Sequence, residues 1–135
     1  MAATANSIIT PQAPKSAMCA VTTANTTFST TPTNAVLLLV AGANGGRLTR
    51  LIAIPLETVT ANFLQVYRSI DAGVTKYLTA AATGGSDTVS GTDGPVMVDF
   101  GFSEDIAMLL QANERLYVAT GITKNYHFVA EYADY

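Results

Sequence analysis

The sequence predicts an all-β protein, an eight-stranded jelly-roll-like antiparallel β-sandwich preceded by an extended N-terminal arm. Three observations support this fold class. Short runs with strand character are separated by turn residues, helical periodicity is nearly absent, and 135 residues are enough for one hydrophobic core. Eight short strands divided between two sheets describe a jelly roll, and an immunoglobulin-like sandwich is the alternative.

The chain divides into an arm, residues 1–16, and a single β-sandwich domain, residues 17–135. The arm is built from small and polar residues interrupted by Pro11 and Pro14, and Ile8 and Ile9 provide its apolar anchor. Because two prolines restrict its backbone and little apolar surface is present, we expect this segment to be extended.

Alternation of apolar and polar residues places eight strands in the domain. They are predicted at residues 17–23, 35–41, 47–54, 62–70, 76–82, 96–102, 116–120 and 126–132. In the sixth strand the side chains of Val96, Val98, Phe100 and Phe102 share one face, and Asp99 lies on the other. In the fourth strand Leu64, Val66 and Ile70 are predicted to lie opposite Gln65, and Phe63 and Tyr67 keep the second face partly apolar.

Turn chemistry connects these strands. Asn44-Gly45 tolerates the positive φ of a tight turn and predicts a hairpin between the second and third strands. Residues 84–94 are rich in Gly, Ser, Thr and Asp and are predicted to form a long surface loop. The one helical candidate is residues 103–111, with Ser103 as the N-cap. It is predicted as either a short helical turn or an irregular edge segment.

Composition predicts that the protein works within an assembly. Charged residues make up 13% of the chain and hydrophobic residues 49%, whereas an average soluble domain has about 25% charged residues. Such a composition excludes disorder for the chain as a whole, and it predicts more apolar surface than one small monomer covers. We therefore expect an oligomer or a component of a larger structure.

The charges are divided unevenly along the chain. Residues 1–84 carry five basic and two acidic side chains, a net charge of +3, and residues 85–135 carry two basic and eight acidic ones, a net charge of −6. In one interpretation the two halves interleave in a single sandwich and their charges mix. In the other, the protomer has faces of opposite sign and packs head to tail with its own copies.

Several function classes are excluded by the sequence. The net charge of −3 and the lack of a basic stripe argue against nucleic-acid binding. The chain shows neither a signal peptide nor an apolar run long enough to cross a membrane, so we expect it to be synthesised and folded in the cytoplasm. Cys19 is the only cysteine, which excludes an intrachain disulfide, and its apolar surroundings predict a small buried thiol.

No arrangement of residues suggests catalysis, a metal site or a cofactor site. His127 is the only histidine, and it is predicted to share a face with Val129 and Glu131. Glu104 and Asp105 are adjacent, which sends their carboxylates in different directions. We therefore expect no catalytic residue, no metal and no cofactor, and an enzyme is not predicted.

The tyrosines near the C-terminus are the feature that could bind a partner. Tyr126, Tyr132 and Tyr135 would form either an aromatic platform that stacks on a sugar ring or an intersubunit contact, since tyrosine supplies a large amphipathic area. We favour the intersubunit contact.

Two parts of the chain resemble a known group of proteins. Residues 20–27, AVTTANTT, and residues 39–51, LVAGANGGRLTRL, resemble small structural proteins encoded among the head genes of tailed bacteriophages. Residues 116–121 and 129–135 are similar to the end of those chains, in which Gly-Gly often stands at the place of Tyr132-Ala133.

The resemblance implies a capsid decoration, or cement, protein. Such a protein would be made in the host cytoplasm, sit on the outer surface of the virion capsid, commonly as a homotrimer, and clamp neighbouring major capsid subunits. Its expected partners are the major capsid protein and its own copies, with no nucleic acid and no membrane. A tail or head–tail adaptor protein and a carbohydrate-binding β-sandwich are the alternatives. The candidate interface residues are Ile8, Ile9, Arg47, Arg50, Tyr126, Tyr132 and Tyr135.

Overall fold

A computed structural model describes residues 13–135, which form nine β-strands and contain no helix. The strands are β1 Ala13–Val21, β2 Val36–Val40, β3 Gly46–Pro55, β4 Asn62–Ser69, β5 Tyr77–Gly84, β6 Val98–Asp99, β7 Met108–Leu110, β8 Arg115–Thr120 and β9 Tyr126–Asp134.

The strands form two antiparallel sheets that pack as a sandwich. Sheet A has the order β1-β9-β3-β6, with β7 also paired to β3, and sheet B has the order β2-β8-β4-β5. The pairing is nested, since β4 pairs with β5, β3 with β6 and β7, β2 with β8, and β1 with β9. This is the pairing of one long hairpin that folds over into two layers.

The predicted β-sandwich class is therefore confirmed. In an immunoglobulin-like sandwich the first two strands are neighbours in one sheet, whereas β1 and β2 lie in different sheets here. The strand order consequently does not fit the immunoglobulin-like alternative.

The core lies between the two sheets and is filled from alternating positions of their strands. From sheet A, Phe128 and Leu51 are fully buried, and from sheet B, Leu64 and Val118 are fully buried. The ring of Phe100 packs against that of Phe128 with a centroid distance of 6.3 Å. Apolar side chains thus alternate into the core as the period-two pattern predicts.

Strand β1 begins at Ala13, four residues before the start predicted for the first strand. The whole of β1 pairs with β9 in one continuous register, from Ala13 opposite Asp134 to Val21 opposite Tyr126, so residues 13–16 belong to the sheet. The predicted boundary of the arm at residue 16 therefore lies inside β1, and residues 1–12 lie outside the described part of the chain. The early start has a physical basis, because Lys15 Nζ donates a 2.7 Å bond to Asp134 Oδ2 on the neighbouring strand.

The region between residues 96 and 111 differs most from the prediction. The predicted seven-residue strand is reduced to β6, because the backbone turns at Gly101, where φ is +88°. Val98, Phe100 and Phe102 pack against the core as predicted, but Val96 is 65% exposed.

No helix forms at residues 103–111, and the irregular edge alternative is the one observed. Ser103 Oγ accepts a hydrogen bond from the Ile106 amide, but the chain then enters β7. Met108 and Leu110 are buried while Leu109 is exposed, so the apolar residues follow a period of two and not the helical spacing.

The Asn44-Gly45 turn is present, but it does not close a hairpin. The amide of Gly45 donates to the carbonyl oxygen of Gly42 at 3.0 Å, and Gly45 has a φ of +81°. The turn carries the chain from β2 in sheet B to β3 in sheet A, so the predicted hairpin is wrong and the predicted turn chemistry is right. Sequence-adjacent strands separate here because each finds its partner further along the chain.

Residues 22–35 run across the outer face of sheet B and cover part of it. Gln65, Tyr67 and Ala119 lie on this face and are fully buried. Gln65 lies opposite Leu64 and Val66 as predicted, and the second face, predicted to be only partly apolar, is buried here because residues 22–35 lie over it. Ile70, also predicted to lie opposite Gln65, is beyond the end of β4 and is 64% exposed.

Candidate interaction surface

The four ion pairs in the described residues connect distant parts of the chain. Three of them join a cation of the first half to a carboxylate of the second half: Lys15 to Asp134, Arg50 to Glu131 and Arg68 to Glu114. These contacts place the two oppositely charged halves side by side in one sandwich. The interleaved interpretation is therefore correct, and the half-chain charge difference does not create two opposite faces.

The two predicted interface arginines are engaged within the protomer. Arg47 Nη2 donates to the carbonyl oxygen of Glu104 at 2.7 Å, and its Nε is buried without a partner among the described residues. Arg50 Nη1 lies 3.4 Å from Glu131 Oε1, and both side chains are about half exposed. Arg50 remains on the surface, whereas Arg47 mainly anchors the segment that precedes β7. The other two predicted contacts of this kind, Ile8 and Ile9, lie outside the described residues.

The three C-terminal tyrosines do not form a platform. Tyr126 is 1% exposed, and its hydroxyl accepts a 3.1 Å bond from Asn62 Nδ2, so it belongs to the core and supplies no contact area. Tyr132 lies six residues along the same strand, roughly 20 Å away, and is partly buried against the core. Tyr135 donates its backbone amide to the Gly45 carbonyl oxygen. Tyr132 and Tyr135 remain candidates for a contact, and Tyr126 does not.

A depression of about 580 Å³ lies beside the start of β1. Its walls include Lys15, Glu104, Glu131 and Tyr132. The hydrogen bond from Lys15 to Asp134 raises the pKa of the Lys15 ammonium, and the charge of Asp134 adds to the effect. Lys15 and Glu131 have ion-pair partners, whereas Glu104 has none among the described residues, so the depression is a partly apolar groove with one uncompensated carboxylate.

The histidine and the cysteine of the sequence lie in strands of sheet A, and each has an ordinary environment. His127 is exposed on the outer face of sheet A, and it borders a cavity of about 240 Å³ with Met18, Ala20 and Val129. Cys19 is half-buried, less than predicted, and burial raises the pKa of its thiol to about 11. The thiol is therefore protonated at neutral pH, which is the unreactive form.

Large apolar side chains are exposed over much of the described surface. Fourteen of them are at least 40% exposed: Met18, Phe28, Leu37, Val40, Leu56, Phe63, Ile70, Val74, Tyr77, Leu78, Val96, Met97, Ile106 and Leu109. Single exposed apolar residues are ordinary in soluble proteins, and together these fourteen side chains supply apolar surface that contact with another protein would cover. The surface is therefore chemically suited to contacts with other proteins.

A buried polar cluster under residues 22–35 was not anticipated from the sequence. Asn25 Nδ2 has two N–H groups and three acceptors in reach, which are Gln65 Oε1 at 2.8 Å, the Tyr67 hydroxyl oxygen at 3.0 Å and the Thr27 carbonyl oxygen at 3.2 Å. The Tyr67 hydroxyl in turn donates to Gln65 Oε1 at 2.8 Å. Burial raises the pKa of Tyr67, although the bond from Asn25 opposes the shift. The cluster holds the covering segment on sheet B, and the one signal for it was a glutamine inside an apolar strand.

Comparison with known proteins gives no match. No family model, no curated protein and no solved structure is similar to this chain. Within residues 13–135, no helix is long and apolar enough to cross a membrane. That part of the chain also has no group of three or more His, Cys, Asp or Glu side chains placed to hold a metal ion.

Proposed function

We propose that this protein is a structural virion protein, a decoration protein that binds the outer surface of a tailed-phage capsid and stabilises contacts between major capsid subunits. The observation that carries the proposal is the exposed apolar surface, with fourteen large side chains at least 40% exposed. In a protein that is permanently bound to its neighbours on a closed shell, those neighbours would cover the exposed apolar side chains. Many modest contacts of this kind also hold a shell together by avidity.

The strand order supports the proposal at the level of fold. Nested pairing of β1 with β9, β2 with β8, β3 with β6 and β7, and β4 with β5 is what rolling a long antiparallel hairpin into two layers produces, and we take this as the jelly-roll form of the sandwich. In a sandwich of short strands, the loops at the two ends and the outer strands of each sheet are available for contacts with other proteins. The fold alone does not assign a function, so the surface carries the argument.

The N-terminal segment is the second part of the proposal. Since β1 includes residues 13–16, the segment available to reach a neighbouring subunit is residues 1–12, which contain Ile8 and Ile9. Removing residues 1–12 leaves every strand of the sandwich in place, so we expect the truncated protein to fold and to bind heads more weakly. Head binding that is unchanged by the truncation would contradict this role.

The decisive experiment is a mass-spectrometric count of this chain in purified virions relative to the major capsid protein. A ratio close to one supports a shell component. A few copies per particle would instead indicate a tail or head–tail adaptor protein. Absence from virions would overturn the proposal, and binding to an array of glycans would then test the carbohydrate-binding alternative.

A further inference from the structure

The outer strands of the two sheets differ in how well they resist pairing with another chain. An outer strand carries unpaired backbone N–H and C=O groups, and soluble proteins protect such edges with short strands, bulges, prolines or charges. In the described residues, β6 has two residues, β2 has five with a register shift, and β5 has a register shift opposite residues 66–67. Strand β1 has nine residues and pairs with β9 in one unbroken register.

The protective residues of β1 are confined to its first three positions. Pro14 and Lys15 lie there, and the remaining section, Ser16 to Val21, contains no charge, no proline and no bulge. No backbone group of β1 bonds to any described residue other than those of β9. The section from Ser16 to Val21 is therefore an uncharged edge whose outward backbone groups have no hydrogen-bond partner among the described residues, although Ala20 shares a depression with residues 33–36.

We propose that two copies of this chain pair through β1, antiparallel and about a two-fold axis, to form a continuous sheet across the dimer. The occupant is a second copy because β1 is the only long outer strand of the described sandwich without a register shift, and identical edges meet most simply in an antiparallel, isologous contact. Such a contact uses up the open edge of both copies, so it closes at two chains.

The charges of β1 agree with this arrangement. When the uncharged sections pair about an axis near Met18, Lys15 of each copy lies near Val21 of the other. The two Lys15 ammonium groups are then separated by about six residue positions, roughly 20 Å, and each keeps its ion pair with Asp134. No like charges are opposed, which is a requirement for cross-strand pairing.

The outer face of sheet A also continues across the axis. Met18 is 71% exposed and is paired with Val129, which is paired in turn with Ile52. Pairing of β1 with its copy places two such rows end to end, and the exposed Met18 side chains meet in the middle. The edge contact thereby covers one of the most exposed apolar side chains of the protein.

The inference is independent of the proposed function, since it concerns the free protein in solution. It also differs from the three-fold arrangement that the resemblance implies, because pairing of one edge with itself gives two chains. The molar mass of the purified full chain, measured by sedimentation velocity over a wide range of concentration, therefore tests it directly.

The variant Ala20→Lys introduces the charge that natural edge strands use to prevent pairing. The matched control is Ala81→Lys, because Ala81 is likewise an exposed alanine on an outer strand, in β5 of sheet B. If Ala20→Lys fails to fold by circular dichroism, Met18→Lys replaces it, since the Met18 side chain already lies mostly in solvent.

We expect the wild-type chain to approach twice its 14.1 kDa mass as the concentration rises. The lysine in β1 should weaken this dimer by about ten-fold or more, equivalent to at least about 1.4 kcal/mol, and Ala81→Lys should leave it unchanged. A wild-type chain that stays monomeric, a mass of three chains, or equal weakening by the two lysine variants would overturn the inference.

Discussion

The buried cluster around Asn25 allows a prediction whose size follows from the structure. The change Asn25→Ala removes a side chain that is 1% exposed and makes up to three full hydrogen bonds. The two N–H groups of Nδ2 are shared among three acceptors, and Oδ1 accepts a bond from the Thr33 amide at 3.2 Å. These bonds join residues 22–35 to the outer face of sheet B.

The expected cost is large for a residue outside the hydrophobic core. Each intramolecular hydrogen bond contributes about 1 kcal/mol net, and a buried group left without a partner costs about 1–3 kcal/mol. Gln65 Oε1 keeps its bond from Tyr67, and the Thr33 amide, which loses its acceptor, belongs to an exposed residue, so the lost hydrogen bonds make up most of the cost. We therefore expect Asn25→Ala to lower the free energy of unfolding by roughly 3 kcal/mol, out of the 5–15 kcal/mol typical of a domain.

Urea denaturation followed by circular dichroism measures this loss, and Asn34→Ala is the matched control. Asn34 lies in the same segment and donates one side-chain bond, to the Ala24 carbonyl oxygen at 2.7 Å, so its replacement should cost about 1 kcal/mol. Hydrogen exchange should also speed up at the amides of residues 22–35 in the Asn25 variant. Equal stability of the two variants would refute the assignment of Asn25 as the anchor of this segment.

Three further predictions concern the turns and ion pairs. The change Glu114→Gln leaves the partly buried Arg68 guanidinium without its bidentate partner and should cost about 3 kcal/mol or more in urea denaturation, whereas the same change at an exposed ion pair should cost under about 1 kcal/mol. The amide of Thr75 lowers the pKa of Asp71, so the stability that this carboxylate contributes is present at neutral pH and lost in the acid range below the ordinary carboxyl pKa. The thermal stability difference between wild type and Asp71→Asn should shrink there. The change Gly45→Ala forces a side chain to a φ of +81° and drives its Cβ into the Leu110 carbonyl oxygen of β7, so thermal unfolding should show a loss of at least about 2 kcal/mol.

The fold class was predictable because it depends on patterns that are local in sequence. Apolar residues alternate into the core along β3, β4, β8 and β9, and the period of two follows from the geometry of any strand. The turn at Asn44-Gly45 was predictable for the same reason, since the ability to adopt a positive φ is a local property of glycine. That β2 and β3 do not pair with each other across this turn was not predictable, because their partners lie far along the chain.

The surface was less predictable than the core, because solvent exposure depends on what crosses each face. Gln65 alternates correctly with Leu64 and Val66, yet it is buried because residues 22–35 lie over it. Tyr126 was predicted as a contact residue from its position among tyrosines, but the inward face of β9 takes it into the core. A tertiary contact decides each of these positions, and the one local signal for it in the sequence is the glutamine inside the apolar strand β4.

The low content of charged residues can be related to the structure by asking which charged side chains form ion pairs and which apolar side chains are exposed. Four ion pairs engage eight of the 17 charged side chains of the protein, and three of these pairs tie the first half of the chain to the second. The other nine charged side chains have no ion-pair partner among the described residues, and the surface of 7095 Å² carries fourteen large apolar side chains that are at least 40% exposed. The ion pairs therefore stabilise one sandwich internally, whereas the exposed apolar side chains support the proposed contacts with neighbouring proteins. The proposed pairing through β1 would give one of these contacts a defined place and direction.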